Sequence, residues 1–232
     1  VWGAPKALVA GNLMRVVADR ALWGLIELGF DYNVTARVTG LITRAYLEMI
    51  EGQYLDLHYE GRMDVGIEDY LDMVSKKTGA LIRCSMHIGA ILGSGDAKVV
   101  GAFQDCGRSI GYLFQVQDDM LGIWGDEGST GKPVAADIRR RKNTLPAVYA
   151  MSRARGRERD TLFRIFGQET LNDDDVDNVL EVMESVGARS YAQDLAFRYR
   201  DAAIDSLSSV DLVPHALEDF TTICDFLLTR ER

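Results

Sequence analysis

The chain has 232 residues and a formal net charge of −9, with 47% hydrophobic and 26% charged residues. That balance belongs to a globular protein of one large or two small domains and excludes a disordered chain. The acidic surplus argues against a nucleic-acid binder or a polybasic membrane anchor, although a few lysines and a divalent cation can reverse the potential inside a cleft.

In chain order, long segments without proline carry apolar residues every three or four positions, the period of a helix. One helix is predicted from about Pro5 to Gly29, with proline in the first turn, where its missing donor does little harm. A second runs from about Asn33 to Tyr59 and a third from about Ile67 to Leu92, where Tyr70, Val74, Thr78, Leu81, Ser85, Ile88 and Leu92 share one stripe. "GSGD" at Gly93 to Asp96 breaks the pattern, and Asp96 is placed to cap a helix carrying Phe103 through Ile123. Gly125 to Asp137 is irregular. Shorter helices are expected at Thr144–Ser152, Arg157–Gly167, Asp173–Val186, Ala188–Leu207 and Pro214–Thr229. No hairpin chemistry, internal repeat or linker interrupts this series, so the expectation is one all-helical domain over 1–232.

Cys84, Cys106 and Cys224 are odd in number and far apart, with no CxxC, which points to small core residues in a reducing, cytoplasmic setting. His58, His87 and His215 lack zinc-ligand spacing and are read as structural. No apolar run approaches the ~20 residues of a membrane span.

The chemistry concentrates in "FQVQDDMLGIWGDEGSTGKPVAADIRRRKNTLP", Phe114 to Pro146. On a helix, Gln115, Asp118, Asp119 and Gly122 fall on one face. Two carboxylates near a helix C-terminus oppose the macrodipole, so a cation is expected there, and oxygen ligands suit magnesium. Lys132 and Lys142 follow on either side of Asp137, and lysine is a compact charge suited to phosphate. A solvated helix end with a charged loop is the plain alternative. "GSTGKP" is no nucleotide P-loop, because its glycine spacing is wrong, Pro133 stands for the needed hydroxyl residue and no strand precedes it.

These residues resemble the second aspartate-rich region of the trans-isoprenyl diphosphate synthases, the polyprenyl synthetase family. "GQYLDL" at Gly52–Leu57, "KKTGAL" at Lys76–Leu81 and "WGAPKALVAGN" at Trp2–Asn12 are similar to further segments of that family, so the ordered motifs cover Trp2 to Pro146. The resemblance implies an isoprenoid-synthase bundle of long helices around a deep central cavity. It also implies head-to-tail condensation of isopentenyl diphosphate with an allylic prenyl diphosphate, assisted by Mg2+, in a homodimer. By the same resemblance Lys77, Thr78, Gln115 and Lys132 are catalytic. Lys77, Lys132, Lys142 and Gln53 bind substrate, with Asp56 supporting the cavity wall. Asp118 holds metal directly, and Asp119 and Asp137 act through water or behind it.

The chain also departs from the family pattern. The first aspartate-rich motif is expected before Val1, so the chain is expected to lack N-terminal helices. "NDDDVD" puts Asp173, Asp174 and Asp177 in a similar spacing, but acids opening an amphipathic helix are read as structural. Gly122 stands where many members carry a third aspartate, and Asn12 replaces the aspartate of "AGD", beside an unfamiliar Lys6. A terpene cyclase on the same fold and a non-catalytic partner subunit are the alternatives.

Overall fold

The computed structural model describes residues 3–125 and 134–230. Eleven helices occur among them, and no strand. They are α1 (Ala4–Trp23), α2 (Tyr32–Tyr59), α3 (Ile67–Lys77), α4 (Gly79–Gly93), α5 (Ala97–Trp124) and a single turn, α6 (Ala136–Arg139). After these come α7 (Leu145–Arg153), α8 (Gly156–Phe166), α9 (Asp173–Ser185), α10 (Ala188–Ser208) and α11 (Pro214–Thr229). Asp31 and Asp96 start α2 and α5 by accepting the otherwise orphaned N–H groups of Asn33 and Val34, and of Lys98 and Val99.

Two segments differ from the sequence expectation. The helix predicted to Gly29 ends at Trp23, and the chain turns through 24–29 to a glycine with φ 90° at Gly29. The helix predicted over Ile67–Leu92 is two helices meeting at Thr78, whose backbone (φ −99°, ψ −44°) is off the ideal helix. Hydrophobic period alone cannot see that break, because the stripe continues across it.

The long helix α5 organises the bundle. Along it Ala102, Cys106, Ile110, Leu113 and Val116 are buried, α4 and α10 pack against it, and Tyr112 stacks on Tyr199 of α10 at 4.7 Å. Close approach of α4 depends on glycine. A Cβ at Gly107 would meet the Cα of Arg83 at 2.8 Å, and one at Gly111 would meet the Cα of Gly79 at 2.7 Å. α2 crosses α3 and α4 in the same manner at Gly52, where a Cβ would lie 2.6 Å from the Cα of Lys77. A second apolar cluster joins Ile123 at the end of α5 to Ile138, Leu162, Ile165, Val179 and Met183. The two clusters meet along α5 and α7. Cys84, Cys106 and Cys224 are buried and free. No helix of the described residues is long and apolar enough to cross a membrane.

"NDDDVD" forms the start of α9. Asn172 and Asp175 close a reciprocal capping box, and Asp173 meets Arg139 at 2.6 Å.

Candidate active site

α5 carries Gln115, Asp118, Asp119 and Gly122 on the face crossed by α3 and α4. The glycine contacts bring Lys77 and Thr78 onto it. Thr78 Oγ1 donates to Gln115 Oε1 at 2.6 Å, and Gln115 Nε2 donates to Asp119 Oδ1 at 2.9 Å. Lys77 Nζ donates to Asp56 Oδ2 of α2 at 2.5 Å, and both side chains are largely shielded. Gln53 projects one turn before Asp56 and is exposed.

Asp119 has no exposure to solvent. Its Oδ2 accepts from the Tyr70 hydroxyl at 2.5 Å and from the Leu145 N–H at 2.8 Å. Leu145 is the first residue of α7, so this carboxylate sits at a helix N-terminus, where orphaned donors and the macrodipole favour negative charge. Burial pushes the Asp119 carboxyl upward in pKa, against the pull of Lys142, Tyr70, the Leu145 N–H and Gln115. A charge held this way costs little only while all its donors stay in place.

Lys142 lies between carboxylates, 3.5 Å from Asp119 Oδ1 and 3.5 Å from Asp137 Oδ2. Burial works against its charge, but Asp119, Asp137, Asp118 and Asp56 outweigh it and raise its pKa to about 12. The segment that presents Lys142 is held by Asn143, whose Nδ2 donates to the Tyr59 and Arg62 carbonyls at 2.5 and 3.2 Å. It also contains Arg141 at φ 53°, and Ala135 before α6 has φ 56°. Two non-glycine residues in the left-handed region thus precede the site residues, Ala135 two positions before Asp137 and Arg141 directly before Lys142, the kind of local strain that collects at functional sites.

Asp137 is 7% exposed, and its carboxylate packs on Gly122, where a Cβ would come 2.7 Å from Asp137 Cγ. The departure at position 122 thus has a physical counterpart, since the space a side chain would need holds the Asp137 carboxylate. Asn12 and Lys6 are exposed on α1, and nothing in the structure explains them. Lys132 lies outside the described residues.

Asp118 is half-buried and has no hydrogen-bond donor on its carboxylate among the described residues. No group of three or more His, Cys, Asp or Glu side chains among the described residues is placed to hold a metal. A hard cation at Asp118 would therefore take most of its oxygens from water and from a bound anion, a common habit of magnesium. The structure brings Lys77, Thr78, Gln115, Asp118, Asp119, Asp137 and Lys142 into one neighbourhood. Tyr70 and the Leu145 N–H belong to the same network. Sequence reading placed Tyr70 only on an apolar stripe, since its partner is 49 residues away.

A cavity of about 530 Å³ near Arg20, Trp23 and Glu27 of the α1 end contains none of these residues.

The polyprenyl synthetase family model matches residues 1–183. The chain is 36% identical to a short chain isoprenyl diphosphate synthase of Methanothermobacter thermautotrophicus, over 100% of this chain and 69% of that protein. Its fold is similar to the crystal structure of a geranylgeranyl pyrophosphate synthetase from Pyrococcus horikoshii, at a TM-score of 0.88 and 31% identity, covering 99% of this chain and 68% of that one. A geranylgeranyl pyrophosphate synthase from Corynebacterium glutamicum, complexed with isoprenyl diphosphate and magnesium, matches at a TM-score of 0.83 and 25% identity, covering 96% and 62%. The chain thus spans about two thirds of the length of these relatives. With the family model matching most of the sequence and a relative 36% identical over the whole chain, the chain belongs to the polyprenyl synthetase family.

Proposed function

We propose that the chain performs head-to-tail prenyl transfer, joining isopentenyl diphosphate to an allylic prenyl diphosphate. One observation carries this reading. Around Lys142 the structure gathers Asp118 and Asp119 from α5, Asp137 from α6 and Asp56 with its partner Lys77, an arrangement of alternating charge suited to a metal-bound diphosphate. The names of the similar proteins support elongation over cyclisation or a non-catalytic role.

Asp118 would hold magnesium, whose Lewis acidity, once bound, helps the allylic diphosphate to leave. Asp137 sits behind that position against Gly122, and Asp119 is engaged inward. Lys77, Lys142 and Lys132 supply positive charge to the diphosphates. Thr78 and Gln115, with their oxygens in one hydrogen bond, concentrate partial negative charge where an allylic cation develops. Gln53 lines the approach from α2.

A second copy of the chain is proposed to cover the outer face of α1 and α2. No residue of α1 is buried, and Leu8, Val9, Leu13 and Met14 are each at least 60% exposed, as are Ile50 and Tyr54 on α2. An apolar face of that size calls for a partner. The buried free thiols suit a reducing, cytoplasmic compartment.

The test is to supply the protein with magnesium, labelled isopentenyl diphosphate and a series of allylic primers. The expected product keeps its diphosphate and is five carbons longer for each condensation. Failure with every primer overturns the reading, and a diphosphate-free hydrocarbon from an allylic substrate alone replaces it with cyclisation. Molar mass in solution tests the dimer.

A further inference from the structure

We infer that Tyr70 is a positioning residue of this site, acting through Asp119 to set the Gln115 amide and the Thr78 hydroxyl. The inference rests on the function proposed above and adds a residue no motif includes. Tyr70 lies in the first turn of α3 and is 1% exposed. Burial, then the neighbouring Asp119 charge, holds its phenol well above its usual pKa, so it remains a donor.

Direction matters in this network. An ionised carboxylate only accepts, so Asp119 Oδ1 forces the NH2 end of Gln115 toward itself. The amide oxygen then points the other way, to the Thr78 hydroxyl, which donates its proton inward. The order Tyr70 to Asp119 to Gln115 to Thr78 admits one orientation of each group. It also ties α3 to α5 at two places, Tyr70 on Asp119 at the start and Thr78 on Gln115 just past the end.

Four groups surround Asp119, two at each oxygen. Tyr70 and the Leu145 N–H serve Oδ2, and Gln115 and Lys142 serve Oδ1. Leu145 is backbone and is fixed by α7, whose start Thr144 caps. Lys142 and Gln115 face the site. Tyr70 is thus the one side chain in this set that pins the carboxylate from the core side. Without its hydroxyl, Oδ2 keeps a single donor in a place water does not reach, and the carboxylate can turn toward Lys142. The Gln115 amide turns with it.

The experiment compares Tyr70→Phe, Gln115→Leu and the double variant in the full protein, with two readouts. In a 15N spectrum of the folded protein, Tyr70→Phe is expected to shift the Gln115 side-chain NH2 resonances, assigned through their loss in Gln115→Leu. In the prenyl-transfer assay, Tyr70→Phe is expected to lower kcat about tenfold or more with KM changed less than about threefold, since a misplaced group acts on the transition state. Adding it to Gln115→Leu should then cost little more, because both act along one path. Unmoved Gln115 resonances overturn the inference whether or not the wild type is active. Full additivity of the two substitutions in kcat also overturns it, as a purely structural tyrosine would behave that way. Inactive wild type with the expected spectral shift sinks the prenyl-transfer reading and leaves the positioning established.

Discussion

Gly52→Ala puts the geometry of the site under direct strain. A Cβ there would lie 2.6 Å from Lys77 Cα and 2.7 Å from Lys76 C, where ordinary contact begins at 3.4 Å. The atoms met are backbone, so no rotamer change relieves them, and α2 must part from the end of α3 by roughly 1 Å. Overpacking of this kind costs about 1–3 kcal/mol, and alanine's better helix propensity returns about 1 kcal/mol. The net loss of stability is therefore small, about 0–2 kcal/mol. Activity should suffer more, because the separation stretches the Lys77–Asp56 pair at 2.5 Å and moves Thr78 against Gln115. A misplacement of about 1 Å can cost up to ~100-fold in rate. Denaturant unfolding and steady-state kinetics on the same preparation separate the two effects. Gly40→Ala, on the same helix with nothing within 4 Å of the new methyl, is the control and should gain up to about 1 kcal/mol with unchanged turnover. A Gly52→Ala protein as stable and as active as the Gly40→Ala control would refute this account of the α2–α3 contact.

Lys142→Met should cost about 3 kcal/mol in urea unfolding, because it strips the nearest cation from the fully buried Asp119, and a loss below 1 kcal/mol would show that the three remaining donors suffice. Thr35→Val should stabilise by about 1 kcal/mol, since the Thr35 hydroxyl is buried with no partner among the described residues, and a lower thermal midpoint would point to a partner there. The three thiols should react with an alkylating reagent at pH 8 no faster than the protein opens. Burial, then the neighbouring Cys224, pushes the Cys106 thiol from 9.0 to about 12. Because the fold favours the neutral form, that contribution to stability is whole below pH 9 and lost as pH rises toward 12.

Much of the molecule follows from local pattern. Helical period, the capping aspartates Asp31 and Asp96 and the prolines opening α1, α7 and α11 place most helices within a few residues, because caps and amphipathic faces are local properties of the chain. The motif residues also identified the family and most of the side chains that gather at the site. The sequence by itself therefore determined the helices and the types of charge available to the site. The resemblance already assigned Asp118 to the metal and Asp119 behind it, but the physical cause of that difference lies in the tertiary structure. Asp118 and Asp119 are adjacent and chemically identical, yet one helix step of about 100° leaves Asp118 half-exposed and turns Asp119 onto Tyr70, the α7 N-terminus and Lys142. The meaning of Gly122 arose in the same way, from the Asp137 carboxylate 15 positions on that fills its place. Local sequence sets backbone preference, but burial and the partners that make a buried charge tolerable come from segments far apart in the chain.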